Sequence, residues 1–168
     1  NIYALCDIDD NRLANTLNED FAASFRGKVK RYRDYREMLD SEPEIDAVLI
    51  STPDHMHAPI ATHAMSLGKH LYVQKPLCHS VAEARYLARQ AEETDVVTQM
   101  GNQGHAEEGA RQINEWVASG ALGNISEIHC WTNRPVWPQG IARADSSTPV
   151  PGSMDWDLWL GAAAQRAY

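Results

Sequence analysis

The chain has 168 residues, with 15 Lys and Arg against 23 Asp and Glu, giving a formal net charge of −8. Hydrophobic residues make up 43% and charged residues 23%, an ordinary globular composition that excludes bulk disorder, and the length fits one domain plus part of another. The acidic balance argues against a nucleic-acid footprint, which concentrates Lys and Arg; no apolar run approaches the roughly 20 residues of a membrane span; and three widely spaced cysteines, Cys6, Cys78 and Cys130, exclude a disulfide framework or a C-x-x-C metal knuckle.

Ile2–Cys6 already reads as a strand, and the last residues carry no stop signal, so the chain is expected to be a fragment cut at both ends. Free thiols fit a reducing, cytoplasmic compartment; export stays open, because the native N-terminus is expected to lie out of view. Asp9-Asp10-Asn11 marks a turn and helix start, and Leu13, Leu17 and Phe21 recur at i, i+4 and i+8 as one helical face. Val29–Tyr32 reads as a short strand, Tyr35 to Leu39 as a short helix, and Ala47–Ile50 as a continuous buried strand. Pro59 suits the first turn of a helix faced by Ile60, His63, Ala64 and Leu67 and closed by Gly68. After the strand His70–Val73, Ser80 and Glu83 form a capping box that opens a helix to about Thr94. Val96–Met100 is a further strand, and a helix from about Ala106 to Ser119 stops at Gly120. Ile125–Thr132 alternates with a period of two and reads as a strand. Arg134 to Gly152 holds four Pro and two Gly and reads as a long loop, and Asp155 to Leu160 as a short helix.

Repeated alternation of strand and helix before residue 120 points to a doubly wound α/β layer with a mostly parallel sheet. Ligands of such sheets bind beyond the carboxyl ends of the strands, which directs attention to Asp7, Ser51–His57, Gln74-Lys75-Pro76 and Gly101–His105. An acid in the position of Asp7 accepts hydrogen bonds from ribose hydroxyls in a dinucleotide fold and repels a 2′-phosphate, favouring NAD over NADP; a turn or capping role explains it equally well. The glycine-rich G-x-G-x-x-G partner is absent from the chain and is expected upstream of Asn1. His55 and His57 qualify as metal ligands by residue type, but no third ligand is identifiable, and packing or capping at the helix near Pro59 is the better reading. Lys75 at a strand end is either a surface turn residue or an ammonium placed to stabilise a developing alkoxide.

Together the strand ends carry a family resemblance. Ser51-Thr52-Pro53-Asp54-His55-Met56-His57-Ala58-Pro59, then Leu67-Gly68-Lys69-His70-Leu71-Tyr72-Val73-Gln74-Lys75-Pro76-Leu77, resembles the Gfo/Idh/MocA oxidoreductases, whose hallmarks are a T-P-N-x-x-H loop followed by G-K-H and E-K-P. Asp155-Trp156-Asp157-Leu158-Trp159-Leu160-Gly161 resembles the W-D-L-W-L-G-P-A-P motif of one branch. The resemblance implies an incomplete Rossmann-type domain over residues 1–122, lacking its first βα unit. Residues 123–168 would then begin an α+β substrate and oligomerisation domain with an antiparallel sheet. It implies Asp7 as the ribose-binding acid, and Thr52, Pro53, Asp54 and His57 as the cofactor loop. Lys75 matches the catalytic lysine beside nicotinamide and substrate, with Gln74 and Pro76 flanking it at the cofactor. Asn102 and Gln103 would line the active site, and Arg134, Trp137 and Gln139 lie in a loop able to reach substrate. No catalytic histidine carries over, because the G-D-x-G-x-H segment that holds it in the family does not occur.

Two residues depart from the family pattern. Gln74 replaces a glutamate, which removes a carboxylate neighbour that would hold Lys75 charged, and Asp54 replaces an asparagine. The implied function is NAD-dependent hydride transfer to or from a sugar, polyol or related hydroxyl compound. An NAD-using glycoside hydrolase that oxidises its substrate transiently, and a non-catalytic cofactor- or sugar-binding relative, are the alternatives. The resemblance also implies homo-oligomerisation of the full-length protein. Trp116, Trp156 and Trp159 read as core, whereas Trp131 and Trp137 stay open between packing and sugar stacking.

Overall fold

In the computed structural model the described residues are 1–133, 138–142 and 148–168. Strand β1 (Ala4–Cys6) pairs in parallel with β2 (Lys30–Tyr32), with Ala4 opposite Lys30 and Cys6 opposite Tyr32. Helix α1 (Asp10–Asn18) connects them and is capped by Asp9, whose carboxylate accepts from the Asn11 N–H at 3.0 Å. Its apolar face buries Leu13 and Leu17 against Val29. Phe21 does not extend this face as the spacing suggests; it is 62% exposed. The helix ends at Asn18, and Asp20–Ser24 form a 3-10 turn, whose tighter winding rotates the side chain off the stripe.

Strands β3 (Ala47–Ile50), β4 (His70–Gln74) and β5 (Thr98–Gly101) form a second parallel sheet in that order. Parallel strands need crossovers, supplied here by α3 (Asp54–Ser66) and α4 (Val81–Glu93). Ile50, Leu71 and Val73 pack with Ala61, Ala64 and Met65 of α3, Leu87 of α4 and Leu39 of α2 (Tyr35–Ser41). Strand β3 is buried on one face only: Val48 and Ile50 are covered, while Leu49 is 69% exposed. Helix α3 starts at Asp54, ahead of the expected start at Pro59, and Pro59 lies inside it. There it forfeits one bond, to the carbonyl four residues earlier. Gly68 closes α3 at φ +71°, where a side chain would be strained. The capping box forms as expected: Ser80 Oγ accepts from Glu83 N at 3.2 Å, and Glu83 Oε2 accepts from Ser80 N at 3.1 Å.

Two compact units result. Asn1–Gly101 and residues 148–168 belong to one, and, among the described residues, 102–133 and 138–142 belong to the other. The second unit contains a 3-10 turn, Gln103–Ala106, and helix α5 (Glu108–Ala118). The strand expected at Ile125–Thr132 does not form: Ile125, Ile128 and Trp131 are 47%, 76% and 88% exposed. A strand needs backbone partners, and none pairs with it among the described residues.

Residues 148–168 rejoin the first unit, so the compact units do not follow the expected boundary at 122/123. Asp10 N donates to Ser153 O and Asp155 N to Ile8 O, both at 3.0 Å, and Asp9 and Met154 form an antiparallel bridge. Helix α6 (Trp156–Leu160) is capped by Asp155 Oδ1, which accepts from Leu158 N at 2.9 Å. It buries Leu160 to 1% exposure. No described helix is long and apolar enough to cross a membrane.

Candidate functional site

Strands β1 and β3 stand at the edges of their two sheets and are not bonded to each other. A cavity of about 700 Å³ lies between their carboxyl ends. Its lining combines the apolar Val48, Leu49 and Ile50, the charged Asp7, Asp9, Arg12 and Arg33, and the loop Ser51-Thr52-Pro53. Asp7 takes part in a local turn and also lines the cavity. Its Oδ1 accepts from Asp9 N at 2.9 Å. Arg33 is engaged by Asp10, Nε to Oδ1 at 2.8 Å; the guanidinium holds the Asp10 carboxyl below the ordinary range. Cys6, on the cavity wall, has its thiol pushed up to about 12, first by burial and then by the carboxylates of Asp34, Asp7 and Glu37.

At the end of β4, Lys75 is exposed, and its backbone N–H donates to Gln74 Oε1 at 2.8 Å. The Gln74 amide thus turns back onto the strand end. A Cβ at Gly101 would come within 2.8 Å of that same oxygen and 2.9 Å of the Tyr72 hydroxyl, so the glycine leaves room for it. The Lys75–Pro76 peptide is cis. Asp54 is exposed in the first turn of α3, where a negative charge complements the helix dipole. This gives a physical account of the aspartate found where the family has asparagine.

The two histidines of the loop face backbone carbonyls. His55 Nε2 donates to Trp159 O at 2.9 Å, with ring centroids 5.3 Å apart. His57 is 1% exposed, with Nδ1 2.6 Å from Pro76 O and Nε2 2.8 Å from Thr52 O. A ring nitrogen that donates to a carbonyl has no lone pair for a metal, and such contacts engage both nitrogens of His57 and Nε2 of His55.

Asp7, Thr52 and Pro53 therefore share the cavity, while Asp54, Gln74, Lys75 and Pro76 occupy strand and helix ends outside its wall. His57 ties Thr52 to Pro76 from beneath. Asn102 and Gln103 open the second unit, and Gln139 Nε2 donates to Pro138 O at 3.2 Å. Arg134 and Trp137 lie outside the described residues. Sequence reasoning missed Arg12, Met154, Leu158 and Trp159, which also line the cavity. The resemblance of Asp155–Gly161 to a family motif marks this segment without assigning it a role, and the spacing of Trp156 and Trp159 reads as core. The rings do stack, 4.7 Å apart and 11° from parallel, yet Trp159 reaches the cavity wall. Trp116, expected in the core, is 49% exposed.

The acid, hydroxyls and apolar residues of the cavity lining suit the adenosine part of a dinucleotide. No glycine lines it, so the close-approach backbone cradle that a diphosphate requires is not built by the described lining residues.

Comparison with known proteins agrees with this geometry. Residues 1–102 match the family model described as "Oxidoreductase family, NAD-binding Rossmann fold". The chain is 23% identical over 137 residues to myo-inositol 2-dehydrogenase of Thermotoga maritima, covering 82% of this chain and 39% of that protein. It is 35% identical over 99 residues to a glycosyl hydrolase family 109 protein of Shewanella pealeana, covering 55% of this chain and 21% of that one. Among solved structures, myo-inositol 2-dehydrogenase of Lactobacillus plantarum superimposes with a TM-score of 0.66 at 27% identity, over 74% of this chain and 35% of that one. The chain thus spans well under half the length of these relatives. With the parallel strands, the strand-end residues and the family model in agreement over residues 1–102, the chain belongs to the Gfo/Idh/MocA family of oxidoreductases.

Proposed function

We propose that the protein carrying this chain is an NAD-dependent oxidoreductase acting on a sugar, polyol or related hydroxyl compound. The observation that carries the reading is the succession of strand ends. Asp7 and the Thr52-Pro53 loop face one cavity, and Lys75 stands at the end of the next strand, its turn tied to that loop. NAD, when bound, supplies the hydride acceptor. Asp7 would hold ribose hydroxyls, and Thr52 and Pro53 would pass close to the dinucleotide. Asp54, His57, Gln74, Pro76 and Asn102 complete the cofactor side by shaping these loops. With Arg33 paired to Asp10, the Asp7 and Asp9 carboxylates outnumber Arg12 on the cavity wall, and this acidic balance disfavours a 2′-phosphate and supports NAD over NADP. The Lys75 ammonium would donate to the reacting oxygen and stabilise the charge that develops on it.

Among the described residues β1 and β3 each keep an unpaired edge and their carboxyl ends line one cavity, which fits one further parallel strand between them, the place of the family's first βα unit. Residues from 123 onward would begin the substrate and oligomerisation domain, from which 148–168 return to the nucleotide unit. Gln103, Arg134, Trp137 and Gln139 are its candidate substrate contacts, and self-association of the full-length protein belongs to the same reading.

The higher identity to the glycosyl hydrolase family 109 protein favours one second reading, hydrolysis by transient oxidation. One assay separates the two. The full-length protein is incubated with NAD and a panel of cyclic polyols and aldoses, and in parallel with aryl glycosides. Net accumulation of NADH with a polyol supports the dehydrogenase. Aglycone release with no net NADH supports the hydrolase. Neither product, with NADH still binding, supports a non-catalytic relative and overturns the proposal.

A further inference from the structure

Resting on the reading above for the roles of Lys75 and Thr52, we infer that His57 is a positioning residue that fixes the Lys75–Pro76 turn against the cofactor loop through two donated hydrogen bonds. The ring lies in the first turns of α3 at 1% exposure. Its Nδ1 is 2.6 Å from the Pro76 carbonyl and its Nε2 2.8 Å from the Thr52 carbonyl. These carbonyls follow different strands, β3 and β4. No backbone–backbone hydrogen bond joins residues 51–53 to 75–77 among the described residues, so the imidazole makes a connection the main chain does not.

A carbonyl oxygen only accepts. Both contacts are therefore hydrogen bonds only when both ring nitrogens carry a proton. A ring with one proton completes one bond and sets a lone pair against the other oxygen. A histidine that merely fills space needs neither carbonyl, and one that caps its own helix has no reason to reach Pro76. The consequence is positional: catalytic groups lose effect when displaced by about 1 Å, and this ring sets the spacing between the lysine turn and the loop at the cofactor.

Two substitutions separate the bonds. The amide nitrogen of asparagine falls near the Nδ1 position and that of glutamine near Nε2. His57→Asn keeps the donor to Pro76, and His57→Gln keeps the donor to Thr52. In the full-length protein, His57→Gln is expected to retain NADH affinity within about twofold while turnover falls about tenfold or more. Amide exchange should then rise in residues 75–78. His57→Asn is expected to show the reverse, with NADH affinity weakened about tenfold, turnover at saturating NAD nearly kept and exchange raised in residues 51–54. Identical behaviour of the two variants, or no change in either, overturns the clamp. Should both variants fail to fold, the ring-nitrogen NMR spectrum of the unmodified protein at neutral pH decides: two protonated nitrogens on His57 support it, and one bare nitrogen overturns it. A wild-type protein that binds no NADH defeats the functional reading instead, while the exchange and ring-nitrogen data still judge the clamp.

Discussion

Leu160 closes helix α6 at 1% exposure and anchors residues 148–168 on the nucleotide unit. Truncation to alanine removes the transfer free energy of its buried methyl and methylene groups, about 2 kcal/mol at roughly 0.8 kcal/mol per group. A cavity term adds to it, because neighbours collapse only partly. Met56, the side chain nearest Gly161, is itself buried at 8% exposure and has little room to follow. The total expected for Leu160→Ala is about 2–5 kcal/mol, which at roughly 2–4 °C per kcal/mol lowers Tm by about 4–20 °C. Thermal unfolding should be followed by circular dichroism and by tryptophan fluorescence, since the Trp156–Trp159 stack reports directly on α6. NADH affinity should fall in parallel, because Met154, Leu158 and Trp159 line the cavity. Phe21→Ala serves as the control: at 62% exposure it should change stability by less than about 0.5 kcal/mol. A Leu160→Ala protein that melts with the wild type, its tryptophan emission unchanged, would refute the docking of this segment.

Three further outcomes are expected. Asp7→Asn keeps the local turn acceptor but removes the charge offered to ribose, and should weaken NADH binding by about tenfold, the worth of a charged hydrogen bond, as measured by fluorescence titration. Cys6, with its thiol near 12, is about 10⁻⁴ thiolate at pH 8, so mass mapping after brief alkylation should find it unmodified while exposed Cys130 is labelled. Buried Glu42 accepts from Lys30 Nζ at 2.5 Å and from the Tyr32 hydroxyl, and these bonds hold its carboxyl below the ordinary range. A depressed folded value stabilises the protein above the unfolded carboxylate value, near 4.3, and the contribution is lost as pH falls through the folded value. Acid titration of stability should therefore lose part of its slope in Glu42→Gln.

The parts of this molecule governed by short-range pattern were legible in its sequence. The capping box at Ser80 and Glu83, the strand ends after Cys6, Ile50 and Gln74, and the turn at Gly68 each depend on a few adjacent residues. What depended on partners distant in the chain was not legible. The alternation of Ile125, Ile128 and Cys130 is a strand pattern, but a strand forms only against another backbone. The return of Met154–Leu160 to β1 and α3 rests on pairings such as Asp9 with Met154, which leave no mark on local periodicity. Pro59 reads as a helix start because the first turn is its usual place, whereas the helix tolerates it one turn further in. His57 illustrates the same limit within the site. Its residue type allows metal binding, capping or packing, and only the two carbonyls beside its ring choose between them.

The most direct test of the central reading follows the hydride itself. The full-length protein should be incubated with NAD and cyclic polyols deuterated at the carbinol carbons, and the nicotinamide product read by mass spectrometry. The expected result is deuterium on the reduced nicotinamide for the wild-type protein, with turnover lost about 10³-fold or more in Lys75→Ala while NADH still binds. No deuterium transfer from any polyol or sugar by the wild type, or a Lys75→Ala protein that transfers at the wild-type rate, would contradict it.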